Sequence, residues 1–341
     1  MKRTARPFWL SLVILAVALL LSVAVGSVFI PPAQILSLVG QRLSGAQPDP
    51  ASLPLATIVF SLRLPRTALI ALVGAALAGS GAGYQGLFRN PLADPYLIGV
   101  ASGAGLGAII AISLGWQGST LGMFAVPLAA FLAGLITVAV VYELARVGRT
   151  LPVTNMLLAG VAVSSFATAM TSFLMINATG ELRRALVFLL GGAAASGWQP
   201  VLSILPYVII GLGALLLMGH ALNVLQFGDE QAQQLGLPVE RVRRVIIVAA
   251  SLATAAAISY AGIIGFVGLI VPHVVRLLWG PDYRRLLPLS IVTGAGLLLL
   301  ADVLARVVMA PAEIPVGIVT ALAGAPFFLW VLRRSKGQNA W

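Results

Sequence analysis

Apolar segments of roughly bilayer length recur from one end of this chain to the other, and that repetition limits its fold more than any other feature. They lie near residues 8–30, 65–86, 96–115, 121–144, 153–176, 200–220, 243–263, 265–279, 286–305 and 315–332, separated by charges or by proline and glycine clusters. Crossing the hydrocarbon takes about 20 mostly apolar residues in a helix. Hydrophobic residues make up 60% of the chain and charged residues only 9%, against about 25% charged in a typical soluble domain. A soluble fold is therefore excluded. The expectation is an all-α, polytopic membrane protein with about ten transmembrane helices, forming one domain over residues 1–341.

The remaining segments read differently. Residues 31–62 hold Pro31, Pro32, Pro48, Pro50 and Pro54 and are too polar and too broken to span. Residues 178–191 suggest a helix lying on the outer face, around Glu181 to Leu190 and ending at Gly191 and Gly192. The first apolar run follows Lys2, Arg3 and Arg6 but is long and lacks a convincing cleavage site, so it reads as a retained helix. With the N-terminus inside, fifteen of the 21 Lys and Arg residues fall on cytoplasmic segments, which places both termini in the cytoplasm. The net charge of +11 then reflects basic cytoplasmic loops rather than a nucleic-acid partner. Glycines at four-residue spacing, Gly79 and Gly83, then Gly99, Gly103 and Gly107, suit close helix packing in lipid.

Catalytic chemistry finds no foothold. Cysteine is absent and the two histidines, His220 and His273, lie far apart without spaced carboxylates, so no metal site is expected. The only lysines are Lys2 and Lys336, which excludes a P-loop. A pump built on this chain needs a separate motor. Glu143 and Asp302 lie near helix ends rather than at the midplane, which weighs against an ion-coupled carrier.

One segment breaks the apolar pattern. Phe227 to Arg244, FGDEQAQQLGLPVERVRR, is a charged, helix-prone island between very apolar runs, and a membrane chain can place it only in water. Gly228-Asp229 suits a helix start, with the Asp229 carboxylate accepting from unpaired backbone N–H groups. Pro238 suits the first position of a second helix. The island reads as two short helices across the cytoplasmic face, a docking surface for a soluble partner. A solvated loop without a partner is the plainer alternative.

In the island, Glu230-x-Ala232-x-x-x-Gly236 resembles the coupling loop of ABC-transporter permeases. Further segments are similar to the iron-chelate and cobalamin permease family of importers. They are Arg63-Leu-Pro-Arg66, Gln85-Gly-Leu-Phe-Arg-Asn-Pro-Leu-Ala-Asp-Pro95 and Gly99-x-x-x-Gly103-Ala104. Also matching are Gly265-Phe-Val-Gly-Leu-Ile-Val-Pro-His273 with Arg276, Glu313-Ile-Pro-Val-Gly317, and Gly324-Ala-Pro326.

The resemblance implies a type II ABC importer permease fold in a bacterial cytoplasmic (inner) membrane. It implies a homodimer with the pathway on its axis, two cytoplasmic ATP-binding subunits and an external substrate-binding protein. The chain itself would bind no cofactor; ATP and Mg would sit on the ATPase partner. Docking of that partner would fall on Asp229, Glu230, Gln231, Ala232, Gln233, Gln234, Leu235 and Gly236, in coupling helices at about 227–240. Arg63, Arg66 and Arg306 correspond to arginines that grip the binding protein. The plainer readings are interfacial anchoring for Arg63 and a pair with Asp302 four residues back for Arg306. The cytoplasmic gate maps onto Asn90, Leu92, Val153 and Thr154, although Val153 stands where some relatives carry a hydroxyl. Asn90-Pro91 is also ordinary turn chemistry.

Independently of the resemblance, Ser164, Ser165, Thr168, Thr171 and Ser172 recur along one face of the fifth span. They would either line a polar pathway or hydrogen-bond neighbouring helices. The function these readings favour is the permease of an ATP-driven importer for an iron siderophore, haem or cobalamin. Family breadth leans toward iron chelates. The alternative is a stand-alone ion-coupled secondary transporter.

Overall fold

The computed structural model describes residues 6–26, 28–44, 52–116, 122–148, 150–177, 182–192 and 197–336. Among them the chain is helical without β-strands, in the order α1 (Arg6–Ala24), α2 (Pro32–Leu43), α3 (Leu53–Thr57), α4 (Leu64–Leu87), α5 (Val100–Ser113), α6 (Ala125–Ala145), α7 (Val153–Asn177), α8 (Leu182–Leu189), α9 (Gln199–Leu217), α10 (Gly219–Leu225), α11 (Asp229–Gln234), α12 (Val239–Ala261), α13 (Val267–Trp279), α14 (Tyr283–Val307) and α15 (Val316–Lys336). Seven of the expected spans are helices long and apolar enough to cross a membrane. The other three, α5, α13 and α15, are shorter apolar helices.

At the centre stands α4, buried at every residue from Val73 to Leu87 and packed on α14, α12, α13 and α9. Glycine makes this packing possible. A Cβ on Gly81 would lie 1.9 Å from the carbonyl oxygen of Gly268, and one on Gly74 would lie 2.3 Å from that of Gly294. Backbones this close gain dispersion contacts that lipid cannot match. The glycine repeat in α5 acts likewise, with Gly103 against Thr137 and Gly107 against Ala129 of α6.

Residues 31–62 differ from expectation. They contain the amphipathic α2, whose Ile35 and Leu38 face inward. Beyond it, α3 continues through a π-helical turn, Ile58–Arg63, straight into α4. Both α2 and α3 begin with proline in the first turn, where a missing N–H costs nothing. The π turn ends just before Pro65, whose missing N–H would interrupt regular helix pairing. Pro32 and Pro54 therefore start helices instead of preventing them, while Pro48 and Pro50 lie outside the described residues.

The short eighth span also has a physical account. α13 has 13 residues, a rise of about 20 Å, so irregular backbone completes the crossing. At Gly262 and Phe266 φ is positive, +73° and +70°. Irregular backbone in a membrane must find partners within the protein, and here it does. Ile263 donates its N–H to Phe188 of α8 at 3.1 Å. The Tyr96 hydroxyl donates to the Ile264 carbonyl at 2.7 Å and accepts the Ile264 N–H at 3.2 Å. The expected surface helix is α8; Glu181 lies outside the described residues, and Gly191 follows at φ +76°.

Candidate functional site

The charged island folds as one short helix, α11, followed by the first turn of the long α12, rather than as two separate short helices. Pro238 is the residue before α12, at φ −75°. α11 ends on Gly236 at φ +82°. There the Leu237 N–H reaches the Ala232 carbonyl and the Gly236 N–H reaches Gln233, both at 2.9 Å. This is a Schellman closure, and its left-handed residue is far more readily glycine than any other. The spacing Glu-x-Ala-x-x-x-Gly thus has a mechanical reading: Ala232, fully buried, is the foot of the helix, and Gly236 turns the chain back.

The remaining predicted docking residues divide by exposure. Glu230, Gln231, Gln233, Gln234, Leu235 and Gly236 are exposed. Beside them Phe227 and Leu235 leave 65% and 67% of their surface uncovered, apolar area that suits a partner more than water. Ala232 and Asp229 do not belong to that outward face. Nor does Asp229 cap the helix: the residue before α11 is Gly228, with no side-chain cap. The Asp229 carboxylate instead takes Arg243 at 2.5 Å and Arg89 at 3.9 Å, because charge-assisted contacts outcompete a backbone N–H.

Arg243, visible in the sequence only as one of the basic residues of the charged island, proves to be the residue that ties it down. Its side chain is 7% exposed and holds Asp229 at 2.5 Å and Glu240 at 3.0 Å. It also donates to the Leu151 carbonyl at 3.4 Å, two residues before α7 begins. On the other side, Asp229 meets Arg89, next to Asn90, and Gln226 donates to the Gly86 carbonyl at 3.3 Å. α11 is therefore tied by ionic and hydrogen bonds to the end of α4 and the start of α7, the two places where the gate residues were expected. Asn90 itself forms an Asx turn, its Oδ1 accepting from Leu92 N–H at 2.9 Å, while Val153 is half-buried and Thr154 exposed.

A second brace holds the same end together. Asn223 of α10 donates to Asp282 at 2.6 Å and accepts the Tyr283 N–H at 2.8 Å. The Asn223 hydrogen bond, more than the nearby arginines, holds the Asp282 carboxyl below the usual carboxylate range.

Along α7 the hydroxyls are satisfied within their own helix: Ser165 donates to Val161, Thr171 to Ala167 and Ser172 to Thr168, at 2.8 to 3.0 Å. For these three, hydrogen-bond glue to other helices is not what the structure contains. Ser165, Thr168 and Ser172 are exposed, Ser164 is half-buried and Thr171 buried. α7 is also the least buried of the long spans, and α12 the most buried.

At the opposite end two of the three predicted docking arginines turn inward. Arg63 donates to the carbonyls of Val23 at 2.7 Å, Ala24 at 2.9 Å, and Val28. Arg306 donates to Val25 at 3.0 Å and Ser22 at 3.1 Å. Both are nearly buried and cap the carbonyl-rich end of α1, where cations are favoured. Arg306 also pairs with Asp302 at 3.0 Å, four residues back. Only Arg66 retains an outward aspect, 24% exposed and bridging buried Asp302 at 2.9 Å to exposed Glu313 at 2.6 Å. The expectation of three outward-facing arginines is corrected: two of them are consumed in holding α1.

Comparison with known proteins places this geometry. The model of the FecCD transport family matches residues 14–334. An ABC transporter permease protein of unassigned role, YvrB of Bacillus subtilis, is 42% identical over 96% of this chain and 93% of its own. The cobalamin import system permease protein BtuC of Halobacterium salinarum is 49% identical over 81% of this chain and 73% of its own. A solved ABC transporter assigned to the metal-chelate type, in an inward-facing conformation, superposes with a TM-score of 0.82 at 30% identity, covering 96% of this chain and 98% of the other.

Proposed function

The chain belongs to the FecCD transport family, and from that premise we propose that it is the membrane-spanning subunit of an ABC importer that carries cobalamin or a closely similar metal chelate. It is a multi-pass permease and not an enzyme; ATP hydrolysis belongs to a separate subunit. The expected lean toward iron chelates gives way to cobalamin because a relative named for cobalamin import shares nearly half of the aligned residues.

The observation that carries the reading is the construction of α11. Its outer face is exposed and partly apolar, while its inner face is bolted through Asp229, Arg243 and Arg89 to the segments that follow α4 and precede α7. A soluble ATPase seated on Glu230 to Gly236 would move those segments as a unit. Two copies of the chain would pair so that the exposed hydroxyls of α7 face a shared pathway, where each still offers acceptor lone pairs after donating to its own helix. Arg66 with Glu313 is the remaining candidate contact for an external binding protein, a rim charge pair that would steer encounter more than hold it. ATP and Mg would stay on the partner, and the α11 end would face the cytoplasm.

The test is uptake by vesicles reconstituted with the chain, its ATPase subunits and its binding protein. Internalisation of cobalamin that requires enclosed ATP supports the proposal. Retention of an iron chelate but not cobalamin by the binding protein would reassign the substrate and leave the permease reading intact.

A further inference from the structure

Two stretches of irregular backbone meet inside the bundle, and one hydroxyl joins them. The first follows α4. Arg89 has φ +49°, Asn90 and Asp94 each fold the chain with a side-chain turn, and a 3₁₀ turn, Pro95–Ile98, leads into α5. The second is the break between α12 and α13, with its positive φ at Gly262 and Phe266. Tyr96 spans the gap, donating to the Ile264 carbonyl at 2.7 Å and accepting the Ile264 N–H at 3.2 Å. One side chain thus serves both backbone groups of Ile264. Neighbouring Ile263 donates to the Phe188 carbonyl of α8 at 3.1 Å.

Neither stretch has room to move separately from its neighbours. A Cβ on Gly160 of α7 would lie 2.2 Å from the Leu97 carbonyl oxygen, and one on Gly268 of α13 would lie 2.8 Å from the Pro95 ring. At the break, a Cβ on Gly262 would lie 2.2 Å from the Phe188 carbonyl oxygen, and one on Gly191 would lie 2.6 Å from that of Ile263. Interiors packed this closely transmit strain. The Arg89 turn meets Asp229 of α11. α8 lies at the other end of the bundle, after the far end of α7, whose near end adjoins Leu151 and Arg243. We propose, resting on the permease reading, that Tyr96 is a positioning residue of the transport cycle. Its hydroxyl passes a displacement of α11 from the Arg89 turn, through Ile264 and Ile263, to α8. The plainer role, satisfying broken backbone in lipid, requires a partner for Ile264 but not one carried on the Arg89 turn.

The test uses the full chain reconstituted with its ATPase subunits and binding protein. The sequence has no cysteine, so L186C, at an exposed position of α8, supplies the one thiol of the chain. Its maleimide-labelling rate is compared with and without vanadate-trapped nucleotide. Trapping changes the rate about fivefold, the low end for coupling between sites, and Y96F loses most of that change. Y84F is the control. The Tyr84 hydroxyl lies 2.7 Å from that of Ser251 on α12, so its loss loosens helix packing but leaves the route intact, and the change persists. A rate unmoved by trapping, moved equally in Y96F, or flattened equally by Y84F overturns the proposal. If the wild type shows no ATP-dependent uptake, the permease reading and this inference fall together; uptake alongside any of the preceding results removes the inference alone. Should Y96F fail to fold, hydrogen exchange on the wild type decides the matter. Protection of residues 262–266 that changes on trapping together with that of α8 supports the coupling, and protection there that stays fixed while α8 changes overturns it.

Discussion

Arg243 shows how much one side chain can carry. Nearly buried, it binds two carboxylates and a backbone carbonyl from three parts of the chain. Replacing it with methionine keeps the apolar stem but leaves Asp229 and Glu240 without their partner. We expect a loss of about 2 kcal/mol, below the range for a fully buried pair because Asp229 is partly solvated. Thermal unfolding in detergent measures that loss, and ATPase stimulation by loaded binding protein should fall with it. Gly236→Val acts by another route. At φ +82° a β-branched residue costs roughly 1–2 kcal/mol, so α11 frays and coupling fails while the spans remain folded. Transport and stimulation that both persist in Gly236→Val vesicles would remove α11 from the docking assignment. Asp282 supplies a pH test. Its folded pKa is depressed, so its contribution is complete above the ordinary carboxylate pKa and is lost as pH falls below about 4. In Asn223→Ala the acid-induced drop in thermal midpoint between pH 7 and pH 3 should shrink, and an unchanged drop would deny Asn223 that role.

At the scale of elements, the ten apolar helices and the charged island were legible because hydropathy and charge act over whole segments. What could not be read was where broken backbone finds its partners. Nothing local in the sequence announces that Tyr96 closes the gap at Ile264, or that Arg63 and Arg306 cap α1 rather than face outward. Those are contacts between residues far apart in the chain. The Ala232 and Gly236 spacing was legible as a motif, while its meaning as foot and turn needed the fold. Central packing gives a prediction at this level. Gly81→Leu forces a side chain into the Gly268 carbonyl and should cost several kcal/mol or abolish folding, whereas Gly213→Leu, open to its surroundings, should stay within about 0.5 kcal/mol. Comparable melting of the two variants would contradict the tight α4–α13 contact. At the end opposite α11, Arg306→Met leaves Asp302 with Arg66 alone and should cost about 3 kcal/mol, while Glu313→Gln at the exposed end of the network should change little.

For the whole molecule, the distribution of burial gives the division of labour. The centre, α4 with α12 and α14, is closely packed; the flank formed by α7 is open and carries Ser165, Thr168 and Ser172 on its exposed surface. On the proposed reading the packed centre would transmit force and the open flank would border the pathway. That force would enter at α11 and pass through Asp229 to Arg243 and Arg89. The measurement that bears most directly on this account is substrate uptake in vesicles containing the chain with and without its ATPase subunits, under enclosed ATP or an imposed ion gradient. The account predicts uptake only when ATP and the ATPase subunits are both present, and its loss in Gly236→Val. Accumulation by the chain alone on an ion gradient would contradict it.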